Sequence, residues 1–394
     1  MKVDVLVIGG GSAGLAAAVT ASRAGLSTVM VERHGMAGGM GTASLVHTFC
    51  GLYFIDGDEA RHANAGLPEE IADRMETATG GGPVKMGRVW VLPQHPVEFA
   101  RIADEILRES GVTVLFHSEV ISLEPGWRAK LACRGELREI EAGAVIDASG
   151  DAAGAAMLEI QDDRAAADRL QRPAYVSGIQ GVVGELAGLT LSGRIVEGVR
   201  SGDLPKASLG MHFRESGRRG EIFGTLDLSG EEIGDYDPTD PACLSALEDT
   251  GRMVTNAVLR YFKEKQDGWK MAYISHWPAR AGVRESRRYL GQAVLTGDDV
   301  ISGRRFDDEV ALATWPLELR ETNRGPKLRY PEDGKAAGIP AGALKAAGME
   351  DLYVAGRCIS CDHEAQASIR VMGTCFATGQ AVGRMVAQPG VGFE

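Results

Sequence analysis

Basic charge is what this sequence is short of. Lysine and arginine number 42 against 54 aspartates and glutamates, a net charge of −12, and no basic run stands out. Neutralising nucleic-acid phosphates needs such a surface, so no nucleic-acid partner is expected. Cysteine is sparse too, with six in 394 residues at positions 50, 133, 243, 358, 361 and 375. That is no disulfide framework, and a reducing, cytoplasmic setting is the expectation. Glycine or charge breaks every long apolar stretch, so no membrane span is expected. The opening MKVDVLVIGGGSAGLAAAV lacks a charged leader region and a cleavage site. It reads as strand, turn and helix, not as a signal peptide. No internal repeat or low-complexity tract is visible.

Glycine, by contrast, is plentiful, with 52 residues. Much of it falls where backbone turns tightly or approaches a ligand. The length predicts two intertwined domains. Val3 to Ile8 is a β-branched apolar run suited to a strand buried on both faces. Leu15 to Ala24 reads as a helix ended by Gly25, and Ser27 to Val31 as a second buried strand, which completes a βαβ unit. Pro96 opens a helix whose Phe99, Ile102, Ala103, Ile106 and Leu107 share one face, and Gly111 stops it. Val112 to Phe116 is a third strand. Short strands at Glu119–Leu123, Arg128–Cys133 and Glu136–Ile140 form a β-meander, and Ala144–Ala148 returns to a buried strand. Residues 156 to 340 mix strands with glycine loops, and one long helix follows Pro241. The stretch 321 to 342 looks like loops. Leu352 to Ala355 is a last strand, and a helix runs from about Gly373 to Ala387.

The fold class read from this pattern is α/β. A Rossmann-like domain with a β-meander is built from 1–55, 96–155 and 345–394. An inserted α+β substrate or cap domain takes 56–95 and 156–344.

Gly9-x-Gly11-x-x-Gly14 sits between a strand and a helix. Gly9 permits the tight turn, Gly11 lets backbone close on a pyrophosphate, and Gly14 lets the helix pack on the sheet. The helix N-terminus offers unpaired N–H groups to the diphosphate. Glu32, 18 residues after Gly14, suits a ribose hydroxyl pair. This fingerprint fits FAD and NAD equally. GIQGVVG at 178 to 184 has the wrong spacing for a second one, so no tightly bound pyridine nucleotide is expected.

A second glycine cluster (RHGMAGGMGTAS), the meander and a C-terminal strand-GR-loop-helix segment together resemble the FAD-binding class related to fumarate reductase and glutathione reductase. GGMGTASLVHTFCGLY, PARAGVRESRRYLGQAVLT and LYVAGRCISCDHEAQASIRVMGTCFATGQAVG resemble the family of FAD-dependent oxidoreductases over nearly the whole chain. The resemblance implies an enzyme with FAD as cofactor and a small-molecule substrate. It further implies that Gly9, Gly11, Ser12, Ala13 and Gly14 form the diphosphate turn and that Glu32 and Arg33 flank the adenosine. Gly38, Gly39, Met40 and Thr42 would run toward the flavin, and Val120 would meet adenine through its backbone. Ala148, Ser149 and Gly150 would close over ribose and diphosphate, with Gly356 and Arg357 along the diphosphate and ribityl chain. Many class members have an acidic residue where this chain has Arg357. Met372, Gly373 and Thr374 would point the last helix at the flavin, favouring the negative charge of its reduced form.

Candidates for the chemistry lie on loops that return to the cofactor: His47 and Cys50, Arg284 with Glu285 and Arg287, and His363 with Cys361 and Glu364. Histidine moves protons near neutral pH, and arginine holds carboxylates bidentately. The plainer alternative is an Arg284–Glu285 ion pair and a histidine that merely caps a loop. Cys358-x-x-Cys361 reads as two loop thiols, since a single pair is weak for zinc and the setting is not thioredoxin-like. No metal is expected. His34 is the nearest candidate for a covalent flavin link, but its spacing matches poorly. The function expected is hydride transfer between a small organic substrate and flavin. The rivals are a flavin-dependent monooxygenase and a non-catalytic nucleotide-binding module. Electron acceptor and homo-oligomer formation are left open by the sequence.

Overall fold

The computed structural model describes residues 1–184, 188–228, 236–321 and 325–388. Residues 389–394 of the expected FAD-binding segment, and 185–187, 229–235 and 322–324 of the expected substrate segment, lie outside them.

The strand Lys2–Ile8 lies at the centre of a parallel array. Thr28–Val31 pairs with it on one side and carries Thr113–Leu115 at its far edge. Glu136–Asp147 pairs on the other side and carries Leu352–Val354. Val5, Leu6 and Val7 are wholly buried, as a strand covered on both faces requires. The glycine-turn helix Ser12–Arg23 packs against the last helix, Met372–Ala387. A Cβ on Gly379 would lie 2.1 Å from the Ala13 carbonyl oxygen. Glycine there lets the C-terminal helix rest directly on the helix of the fingerprint.

The meander joins this sheet at its edge, through Glu119–Glu124 and Arg128–Cys133. One expectation needs correcting here. Glu136–Asp147 is a single twelve-residue strand, not two. Glu141 pairs with Arg128 on one side and Lys2 on the other. The ladder therefore hands over from meander to parallel sheet without a turn.

A second, antiparallel sheet has the order Met211–Glu215, Glu221–Asp227, Ala174–Gln180, Tyr273–His276. The helix Pro241–Lys265 packs on it, capped by Asp240, whose carboxylate accepts from Ala242 and Cys243 N–H. Gly251 of this helix lies against the Tyr175 ring, where a Cβ would come within 2.2 Å. The helix Gly188–Ser201 joins this unit and was not expected from the sequence. GIQGVVG runs from the Ala174–Gln180 strand into a loop, so it is no nucleotide turn.

Apolar packing divides the chain into two main cores. Tyr175, Ile179, Leu226, Val258, Phe262 and Trp269 belong to the second. Leu67, Ile71 and Met75 of the helix Leu67–Thr79, and Leu295, Ala313, Ile339 and Leu344, belong to the first, with the parallel sheet. The stretch expected to be loops, 321–342, also needs correction. Lys327–Arg329 pairs with Leu317–Leu319, and Ala337–Pro340 with Glu309–Ala313. Lys327, Leu328 and Arg329 are all exposed, so burial leaves no apolar signature for the sequence to show.

Candidate functional site

Two cavities, of about 490 and about 370 Å³, meet at Met40, Val283 and Arg357, which line both. The larger lies over the glycine turn, and the smaller opens toward the second sheet.

Backbone builds most of the rear cavity. Gly9 has φ +94°, a conformation glycine adopts without strain. A Cβ on Gly14 would stand 1.8 Å from the Gly9 carbonyl oxygen, so the helix starts pressed against the turn. The second glycine cluster lies on the first: Gly38 N–H donates to Gly10 O at 2.8 Å, and a Cβ on Gly39 would come 2.8 Å from Gly11 Cα. Around Gly11 the space is open, its nearest neighbour being Gly39 Cα at 4.0 Å. Glu32 is buried at its strand end. Oε2 accepts Gly10 N–H at 2.7 Å and Oε1 accepts His34 N–H at 2.8 Å, and each oxygen keeps a lone pair for a further donor.

Asp151 and three arginines set the electrostatics here. Arg357 donates from Nε to Gly150 O at 2.6 Å and bonds Asp151 and Val283 O. Arg33 lies 3.7 Å from both Glu119 and Asp151. Burial pushes the Asp151 carboxyl up, but Arg357, Ser286, Arg280 and Arg33 together hold it below its usual value. Asp151 thus sits against Arg357. Arg280 has no carboxylate within 4 Å among the described residues, and its Nε is buried without a partner. Burial, with Arg33 and Arg357 nearby, pulls its guanidinium down to about 10. A half-buried cation left this way favours an anion beside it, and open space beside Gly11 leaves room for one. These residues fit the diphosphate and adenosine of FAD.

Of the residues named from the sequence, Gly9, Gly11, Glu32, Arg33, Met40, Val120, Ala148, Ser149, Arg287 and Arg357 line this cavity, with Arg287 Nε donating to Asp151 O at 3.1 Å. His34 lines it as well, at the Glu32 end. Ser12, Ala13, Gly14, Gly38, Gly39, Gly150, Gly356, Gly373 and Thr374 do not appear in either wall; most lie just beneath them. Thr42 Oγ1 donates to Ala37 O at 2.7 Å, and Gly356 N–H to Thr378 Oγ1 at 3.1 Å. Gly373 N–H donates to Cys50 O at 2.9 Å, which ties the last helix to the Cys50 loop. Thr374 Oγ1 is buried with no partner.

Side chains from separate segments build the front cavity. His47, Cys50, Arg284 and Met372 line it with His212, Arg214, Glu318, Arg320 and Arg370. The His47 ring stacks on Phe223, centroids 4.7 Å apart, and its Nδ1 lies 3.2 Å from Leu45 O. That contact fixes the proton on Nδ1 and leaves Nε2 as an acceptor. Burial, with Arg214 nearby, lowers the ring to about 3, so it is neutral at pH 7. His212 falls to about 4, chiefly by burial. Burial raises Cys50 to about 12, which makes it a thiol rather than a thiolate.

Arg284 donates to Asp227 Oδ1 at 2.7 Å and Arg172 O at 2.6 Å. Arg320 bonds the same aspartate and lies 2.7 Å from Glu318 Oε1. Arg370 reaches Gln171 Oε1 and Glu318 O, each at 3.3 Å, with the Glu318 carboxylate at 3.9 Å. Burial opposes ionisation of Asp227 and Glu318. Arg284 and Arg320 beside the first, and Arg370 and Arg320 beside the second, nevertheless bring each down to about 2.

The expected Arg284–Glu285 pair is not formed; Glu285 serves others. It bonds Arg288 and lies 2.9 Å from His363 Nδ1, while His363 Nε2 lies 2.9 Å from Glu321. Burial pulls His363 down, but these carboxylates raise it above its usual value. His363 lines neither cavity. Cys358 and Cys361 are buried free thiols, both pushed up by burial, and line neither cavity.

Arg280, Asp151, His212, Arg214, Glu318, Arg320 and Arg370 were missed from the sequence. A signal was present for four of them. His212 and Arg214 alternate along one strand, so they share a face, and Glu318 and Arg320 have the same two-residue spacing at the end of another, Arg320 lying just beyond it.

The family model "FAD dependent oxidoreductase" matches residues 4–389, and the chain belongs to that family. It is therefore an enzyme with FAD as its cofactor. Among solved structures, a geranylgeranyl bacteriochlorophyll reductase-like protein from Thermoplasma acidophilum is similar at 15% identity, covering 98% of this chain and 78% of that one, with a TM-score of 0.48. The anhydrotetracycline hydroxylase OxyS from Streptomyces rimosus is similar at 13% identity, covering 98% and 63%, with a TM-score of 0.47. The flavin-dependent monooxygenase PieE, solved with FAD and substrate, is similar at 19% identity, covering 74% and 51%, with a TM-score of 0.39. At that level of likeness nothing about substrate or reaction passes to this chain. No helix among the described residues is long and apolar enough to cross a membrane.

Proposed function

We propose that this flavoenzyme transfers hydride between a small organic substrate in the front cavity and FAD laid along the rear one. The supporting observation is continuity: the two cavities share Met40, Val283 and Arg357. A cofactor whose diphosphate rests at Gly9 and Gly11 thereby presents its far end to the front cavity. In this reading Glu32 takes the ribose hydroxyls, Val120 the adenine, and Arg280 the diphosphate charge. Ser12, Ala13 and Gly14 set the helix N-terminus behind that diphosphate, with Gly38 and Gly39 supporting the ledge. The inserted unit is the antiparallel sheet with its two helices, and it brings His212 and Arg214 to the substrate.

Bound FAD supplies a two-electron acceptor for hydride. The chain's own residues do the rest. As the substrate gives up its hydride, Nε2 of His47 takes its proton, and the ring returns it in the reverse direction. Arg284 and Arg320, clamped by Asp227, hold their guanidinium groups fixed toward the substrate. Cys50 contributes its carbonyl to Gly373 and stays a thiol.

Anaerobic mixing of the yellow protein with small acids, amines and alcohols tests this. At least one class should bleach the flavin. His47→Gln should slow bleaching about 100- to 10,000-fold while leaving flavin content unchanged. Flavin that stays oxidised across the panel, with oxygen found in the product under air, would point to a monooxygenase instead.

A further inference from the structure

The front cavity has a charge imbalance that hydride transfer alone does not require. Five arginines line it, Arg214, Arg284, Arg320, Arg357 and Arg370. Arg357 is paired with Asp151; against the other four guanidinium groups stand two carboxylates, Asp227 and Glu318. Arg284 and Arg320 share Asp227, and Arg320 also takes Glu318 at 2.7 Å. Arg370 is left with the same Glu318 at 3.9 Å, although its side chain is only 12% exposed. Arg214 has Thr48 Oγ1 at 3.3 Å and no carboxylate within 4 Å among the described residues. The two histidines add nothing to the positive count, since burial keeps both neutral at pH 7. Arg214 is exposed to solvent, so the poorly matched charge enclosed in this cavity of about 370 Å³ is that of Arg370.

Part of the lining has a different chemistry. Val89, Val91, Trp315 and Val371 form a small apolar cluster of their own, with Tyr330 packed on it. All five line the cavity. Trp315 donates to the Glu318 carboxylate at 2.9 Å and Val371 follows Arg370 in the chain, so the same cavity offers an anion site and, adjoining it, a surface for an apolar, flat body.

We propose that the front cavity binds an organic acid, its carboxylate on Arg370 and its neighbouring arginines and its apolar body against Trp315, Val89 and Val91. The geometry of Arg370 supports this assignment. It lies two residues before the last helix, its Nε and one terminal nitrogen are engaged by Gln171 and Glu318 O at the long distance of 3.3 Å, and its charge is the least matched of the buried three. A carboxylate entering there gains charge-assisted hydrogen bonds while relieving repulsion among the cations. It also offsets the field of Arg214 at His47, which makes Nε2 a better proton acceptor once substrate is bound. Arg284 and Arg320, anchored on Asp227, are then the rigid part of the anion site.

This deepens the reading above and rests on the front cavity being its substrate site, but it is tested by binding, without turnover. The holoenzyme is titrated with benzoate, 3-phenylpropionate, benzamide and succinate, following the flavin spectrum and the heat of binding. One of the two aromatic acids should bind at least about tenfold more tightly than benzamide. Arg370→Gln should weaken that acid about 10- to 100-fold, leave benzamide unchanged and keep full flavin content; Arg370→Lys should recover part of the loss. Equal affinity for benzoate and benzamide, or no binding by any of the acids, would overturn the proposal. Succinate binding in preference to both aromatic acids would overturn the apolar half of it. Acids that bind here while no compound of the anaerobic panel bleaches the flavin would leave the anion site standing and remove the hydride reading. Bleaching by uncharged substrates, with no acid bound, would do the reverse.

Discussion

The two cavities share three residues and are built in opposite ways. The rear one is made of main chain. It rests on Gly9, Gly14 and Gly39, where a Cβ would strike backbone. The polar residues of the front one are side chains from segments far apart in the chain, around 47, 212, 284, 318 and 370, brought together by both sheets and the last helix. The rear cavity fits a ligand whose shape never changes, and backbone can be fixed against it. The front cavity is held by arginine–carboxylate pairs that a different family member could redraw without disturbing the fold.

The largest effect should come from the backbone side. Gly14→Ala replaces glycine by a better helix former, and in open helix that would stabilise by about 1 kcal/mol. Here the Cβ would stand 1.8 Å from Gly9 O. The expected outcome is a loss of about 3 kcal/mol and of most bound flavin, read from the absorbance ratio and the melting temperature of the purified protein. A variant that keeps its flavin would show that the turn tolerates movement, and the contrast between the cavities would weaken.

An intermediate effect should separate binding from folding. Arg280→Gln is expected to weaken FAD about 10- to 100-fold, measured by refilling the apoprotein. The apoprotein itself should melt no lower, since the change removes a half-buried cation with no carboxylate within 4 Å among the described residues. A fall in apoprotein stability with unchanged FAD affinity would make Arg280 a structural residue.

The smallest effect belongs to the front cavity and depends on pH. Asp227 and Glu318 are held at about 2, below the usual carboxylate values near 4. Groups depressed in the folded state stabilise it above their unfolded values, and the stabilisation is lost as pH falls toward the folded value. Each contributes roughly 2 kcal/mol that should disappear between about pH 4 and about pH 2. Asp227→Asn should therefore be less stable than the wild type at pH 7, and the two melting curves should converge on acidification. A gap that stays constant down to pH 2 would mean that the ion pairs with Arg284 and Arg320 add nothing.

Legibility followed the same division. Gly9, Gly11 and Glu32 could be placed because each is fixed by neighbours close in sequence. The meander was visible, but the join at Glu141 was not, since it depends on Arg128 and Lys2 pairing from opposite sides. His47, Cys50 and Arg284 were named and do line one cavity, whereas His363, which has equal chemical promise, is held between Glu285 and Glu321 away from it. Residue type alone could not separate those two histidines. Arg370 drew no notice because it stands alone in a mostly apolar stretch, and its importance comes from Arg284 and Arg320, 86 and 50 residues away in the chain.

The sequence by itself determined the nucleotide-binding unit: a buried strand, a glycine turn, a helix and an acidic residue, all set by sterics and hydrogen bonds within about thirty residues. The tertiary structure decided where charge is balanced and where it is not. Ion pairing is a matter of distance in space, and only the folded chain shows that Asp227 and Glu318 serve Arg284 and Arg320 closely and leave Arg370 with a carboxylate no nearer than 3.9 Å.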